Sequence, residues 1–154
     1  MTEALDHCGG RVVAGRALDV SLESIDIRDA SELDTAFSHL DKSSVSGLLV
    51  VGSAFSFDHR ARIAASALHH RLPALNAVRE AAAAGGLMSY GPVVAEQFRQ
   101  AAAYMDRILK DTPPSDLRVQ QPAKFELVVN LKPAREIGVT VANSTLAQAD
   151  EVIW

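Results

Sequence analysis

Gly85-Gly86-Leu87-Met88-Ser89-Tyr90-Gly91-Pro92 lies where an α/β unit stops and a long helix begins, and its reading decides how the rest of the chain is read. Gly85 and Gly86 close a short helix over 78–84, and Pro92 suits the first position of the helix that follows, where its missing N–H has no intrahelical partner to lose. Ser89 and Tyr90 then fall in a turn between glycines, where backbone can approach a bound molecule closely. The plain alternative is a helix stop followed by a helix start, with no ligand involved.

Working outward, strand and helix patterns alternate. Residues 18–27 are rich in β-branched and aliphatic side chains and read as a strand whose alternation changes phase between Leu22 and Ile25, as at a bulge or an edge. Asp29-Ala30-Ser31-Glu32 has capping-box spacing, with Asp29 as N-cap, ahead of a helix presenting Leu33, Phe37 and Leu40. Gly47-Leu48-Leu49-Val50-Val51-Gly52 reads as a central parallel strand covered on both faces. A helix from about Asp58 turns Ile63, Ala64, Ala67 and Leu68 inward, and 73–77 makes a short strand. From Pro92 the long helix carries Val94, Phe98, Ala101, Met105, Ile108 and Leu109 as an apolar stripe. Pro113-Pro114 ends it, and the chain through Pro122 is an extended linker. Phe125, Leu127, Val129 and Leu131 alternate as a strand, 132–137 is a short helix closed by Gly138, and 145–152 reads as a last helix.

Strands separated by helices of this length predict right-handed crossovers and a parallel, doubly wound, Rossmann-like sheet. Ligands of such sheets sit beyond the carboxyl ends of the strands. That rule selects Ser53, Ala54 and Phe55 after one strand, Asn76 at the end of the next, and Ser89 and Tyr90 in the glycine-bounded run. Hydroxyls and turn amides suit a carboxylate or amide, Asn76 both donates and accepts, and the two rings offer apolar faces. Each also has an ordinary reading: Asn76 as a turn former, Phe55 as core.

Beyond these residues, the stretches GGLMSYGP (85–92), AAAYMDRILK (101–110) and FELVVNLKPAREIG (125–138) resemble the C-terminal half of ABC-type solute-binding proteins, in an uncharacterised branch with suspected tryptophan and tyrosine binders among its members. The likeness runs from about residue 17 to 153. It implies one lobe of a type I periplasmic-binding-protein-like fold plus closing C-terminal elements: an α/β lobe over 1–112, a linker over 113–124 and a closing strand and helix over 125–154. It also implies a non-enzymatic small-molecule receptor, periplasmic or lipid-anchored, that serves a membrane permease and is here about half length. Ser89 and Tyr90 match the family's SYG position. Asn76-Ala77 stands where many relatives carry an aromatic followed by glycine, which removes a stacking surface.

Composition fits one soluble domain: 154 residues, 48% hydrophobic, net charge −4. The acidic N-terminus, residues 1–8, reads as no export signal, placing the chain as it stands in the cytoplasm, and the mild acidity argues against nucleic acid as a partner. No cofactor or metal is expected. His7-Cys8 has no second pair at zinc spacing, and Gly9-Gly10 lacks the rest of a phosphate loop. A hydrolase would need His59, His69 or His70 to combine with Asp58 and Ser53 or Ser56, yet no nucleophile elbow is present. A structural or interaction module that has lost its ligand is the other alternative. Finally, an unpaired 125–131 strand and the stripe of the long helix predict a homodimer, with Tyr104 and Met105 as contacts.

Overall fold

A computed structural model describes residues 15–40 and 45–154, and places five strands in one sheet in the order β1-β2-β3-β4-β5. The strands are β1 (Leu48–Val50), β2 (Ala74–Asn76), β3 (Met88–Pro92), β4 (Phe125–Asn130) and β5 (Glu151–Ile153). The helices are α1 (Glu32–Leu40), α2 (Ala54–Asp58), α3 (Arg60–His69), α4 (Arg79–Ala83), α5 (Val94–Leu109), α6 (Leu131–Ile137) and α7 (Asn143–Gln148). This is the mostly parallel α/β sheet that the alternation predicts. Its one antiparallel pairing, β3 with β4, arises because the chain leaves through α5 and comes back along its own path. His7-Cys8, Gly9-Gly10 and the N-terminal segment lie outside the described residues.

Core formation follows the apolar periodicity. Leu33, Phe37 and Leu40 of α1 meet Ile63 and Ala67 of α3 over Ala74 of β2, with Leu48, Val50 and Phe55 packed against them. Each large side chain so buried contributes about 1.5–3 kcal/mol. Asn130 ties three elements together at the other end of the sheet. Its backbone N–H donates to the Leu87 carbonyl (2.8 Å), its Nδ2 donates to the Ala82 carbonyl ending α4 (3.0 Å), and its Oδ1 accepts from the Lys132 N–H to cap α6. Gly138, at φ 74°, closes α6 in the left-handed region, as its position predicts.

Several expectations change. Residues 18–27 form no strand: among the described residues no strand pairs with them, and Leu18, Val20, Leu22 and Ile25 stay exposed. The expected capping box does not form at Asp29, since α1 begins at Glu32. Asp29 accepts from the Ser31 amide and hydroxyl, which hold its carboxyl below the usual range, while Glu32 accepts from Arg28 N–H. Among the described residues β1 is an edge strand with Leu49 exposed, not a central one. The helix expected from Asp58 begins four residues earlier, as α2, and is divided from α3 at His59.

The C-terminal half brings larger corrections. Pro92 ends β3 opposite Phe125, and the helix starts at Val94, so Ser89 and Tyr90 lie inside a strand and not in a turn. Helix α5 exists with the predicted length, but none of its residues is buried, and its stripe faces outward. The expected helix over 145–152 splits into α7 and the parallel strand β5. Strand β4 is therefore paired on both sides, which removes the unpaired edge on which dimerisation through 125–131 was expected.

Candidate functional site

Parallel pairing aligns Val50, Asn76 and Ser89 across β1, β2 and β3, so the chain leaves all three strands at the same edge. Because β4 runs the other way, its first residue, Phe125, reaches that edge too. The topology thus gathers every residue selected from the sequence at one end of the sheet. It does not give them one surface.

Strand alternation separates Ser89 from Tyr90, since successive side chains leave a strand on opposite faces. Ser89 shares its face with its partners Asn76 and Val128, and α4 covers that face, as the Asn130 to Ala82 hydrogen bond shows. Asn76 is buried there, and its Nδ2 donates to the Met88 carbonyl (3.3 Å). Ser89 is 1% exposed, and among the described residues its hydroxyl has no hydrogen-bond partner. Gly91, next along the same face, exists because nothing larger fits: a Cβ there would lie 1.8 Å from the Ala77 carbonyl oxygen.

Tyr90 occupies the opposite face and is 56% exposed. Its ring stacks on Phe125, with centroids 5.8 Å apart and planes 27° apart. The sequence reading did not select Phe125, because its alternation with Leu127, Val129 and Leu131 reads only as a strand. The return of β4 antiparallel to β3, which no local pattern announces, is what carries it to the edge.

At the end of β1, Ser53 and Ala54 are exposed. Ser53 is the N-cap of α2, in a capping box with Ser56: its Oγ accepts from Ser56 N–H (3.0 Å), and its own N–H donates to Ser56 Oγ (2.8 Å). Ser56 Oγ also donates to the Val51 carbonyl (2.9 Å). Both hydroxyls are thus engaged in local structure. Phe55 packs against the core and against His59, at 4.5 Å between ring centroids. His70 stacks on Phe37, and His69 meets His70 edge-on. No group of three or more His, Cys, Asp or Glu residues suited to a metal ion occurs among the described residues. An open groove of about 460 Å³ lies elsewhere, between α1 and α3, lined by Asp34, Phe37, Arg62, Ser66, His69 and His70.

The edge is held by charge as well. Arg79, at the start of α4, pairs with Glu151 of β5 and lies 3.8 Å from Glu126 of β4. Among the described residues, no helix is long and apolar enough to cross a membrane.

Comparison with known proteins places this geometry in context. The family described as ABC transporter substrate binding protein matches residues 14–153. A conserved domain protein from Vibrio cholerae O1 biovar El Tor is similar in structure, with a TM-score of 0.87, 19% identity, and coverage of 97% of this chain and 50% of that one. An ABC domain from Streptococcus pneumoniae, solved with L-Trp, matches with a TM-score of 0.87, 18% identity, and coverage of 97% and 50%. The ligand-free, open structure of a substrate binding protein with adhesive properties from Clostridium difficile gives a TM-score of 0.66, 14% identity, and coverage of 99% and 51%. No curated protein matches the sequence. The chain spans about half the length of the structures it resembles.

Proposed function

This chain belongs to the ABC transporter substrate binding protein family, and from that premise we propose that it contacts a small solute, of the amino-acid or small carboxylate and amide class, at the carboxyl end of β1 to β3. The observation that carries the proposal is the exposed Tyr90 ring at that edge, in a fold shared with a protein solved with L-Trp. Tyr90, Ser53 and Ala54 are the members a solute reaches, while Asn76, Ser89 and Phe55 hold them in place from inside. Turn amides after β1 supply donors to a carboxylate, and the Tyr90 ring supplies an apolar face. A surface of this kind covers a solute from one side, so affinity falls well short of that of a site enclosing the 70–90% or so usual for small molecules. The expected dissociation constant is therefore on the order of millimolar, about −4 kcal/mol.

Ligand-observed NMR with L-tryptophan, L-leucine and acetate tests this. We expect a saturable response from at least one probe, abolished by Tyr90→Ala. No response at millimolar concentration, or an equal response from the variant, would leave a structural module as the better reading.

The partners follow the same premise. We propose a periplasmic or lipid-anchored role alongside a membrane permease, and self-association through α5. Support for the second comes from Phe98, Met105 and Leu109, which are 73%, 63% and 81% exposed on that helix. Light scattering coupled to size exclusion is expected to give a dimer that Phe98→Glu with Met105→Glu returns to monomer, and a wild-type monomer at micromolar concentration would contradict it.

A further inference from the structure

We infer that Phe125 is a positioning residue of the strand-end site, its ring fixing the orientation in which Tyr90 meets a solute; this rests on the reading of that edge as the solute contact. In the antiparallel pair Tyr90 stands opposite Leu127 and Pro92 opposite Phe125, so Tyr90 and Phe125 are diagonal neighbours on one face, within reach of each other's rings. They use that reach: their planes are 27° apart, with centroids at 5.8 Å. Phe125 is 45% exposed and does not belong to the core cluster, so packing in the interior does not account for it.

Its backbone is fixed independently of Tyr90. The N–H of Val93 donates to the Lys124 carbonyl (3.1 Å), tying together the two passages by which the chain leaves and rejoins the sheet. Phe125 therefore starts β4 from an anchored position beside Pro92. An exposed tyrosine without such a neighbour samples several rotamers and loses that freedom on binding, whereas a stacked ring is already ordered. Together the two rings form one aromatic wall across β3 and β4, with Tyr90 as the member nearer the strand ends of β1 and β2.

The test uses the two tyrosines of the full chain, Tyr90 and Tyr104, with Tyr104→Phe assigning their ring resonances. In Phe125→Leu the ring-current shift of Tyr90 is expected to collapse while the far-UV melt is unchanged, and binding of the responding probe (L-tryptophan, L-leucine or acetate) is expected to weaken about two- to tenfold, the range of an aromatic pair. Phe125→Trp is expected to restore both. Loss of the shift with unchanged affinity, while Tyr90→Ala still abolishes binding, overturns the positioning role and leaves the solute site standing. Unchanged Tyr90 resonances in Phe125→Leu overturn the stack itself. Absence of any probe binding to wild type removes the site and this role together.

Discussion

One side chain and one amide let Asn130 link β4 to the Leu87 carbonyl, to α4 and to α6. Asn130→Ala removes one donor from the Ala82 carbonyl, which keeps the Gly85 N–H (3.2 Å), and removes the acceptor of the Lys132 N–H, so we expect a loss of about 1–3 kcal/mol in urea denaturation. Asn130→Asp keeps the cap but sets a buried carboxylate oxygen against the Ala82 carbonyl, and is expected to cost at least as much as Asn130→Ala. Gly91→Ala makes a sharper point. The added carbon meets a backbone oxygen that cannot rotate away, and a cost of about 3 kcal/mol or more is expected in the same measurement. Ser89→Ala goes the other way: it removes a buried hydroxyl that has no partner among the described residues, so stability is expected to stay level or to rise by about 1 kcal/mol. The presence of these residues was visible in the sequence, but their neighbours were not. Asn130 stood inside a quoted stretch, and its value depends on Ala82, 48 positions away.

At the scale of elements, what was legible is what local periodicity controls. The stripe of α1, the inward face of α3, the glycine ends of α4 and α6 and the existence of β4 all followed from spacing and caps, although burial along β4 does not alternate and Leu131 belongs to α6. What was not legible depends on partners. Residues 18–27 have β-branched character without a strand to pair with, and β5 has too short a pattern to stand apart from α7 until β4 lies beside it. Ser89 and Tyr90 were read as a turn because their glycine neighbours suggest one, whereas Gly91 serves a close approach to Ala77 within a strand. Helix α5 shows the same limit: its stripe correctly marks a helix without saying what covers it. A 16-residue helix with no buried side chain draws its stability from propensity and from pairs such as Glu96 with Arg99 and Asp106 with Lys110, which is marginal support in water. In the monomeric Phe98→Glu, Met105→Glu variant, hydrogen exchange is therefore expected to be faster by at least tenfold in α5 than in β4, which is paired on both sides. Equal protection would mean that α5 is covered in solution.

For the whole molecule, the sheet supplies a fixed edge and leaves one side of it open. The parallel crossovers bring Ser53, Ala54 and Tyr90 to that edge, α4 seals the opposite face beneath Asn76 and Ser89, and Phe125 returns from outside to flank Tyr90. The family match covers residues 14–153 while the similar structures run to twice the length, and the contribution to solute binding that we propose lies within the matched residues. Backbone amide shift mapping during titration with L-tryptophan, L-leucine and acetate tests that contribution most directly. The account predicts perturbations confined to Ser53 to Phe55, Ala77, Tyr90 to Gly91 and Phe125; perturbations centred on Arg62, His69 and His70 in the groove between α1 and α3, or none at all, would contradict it.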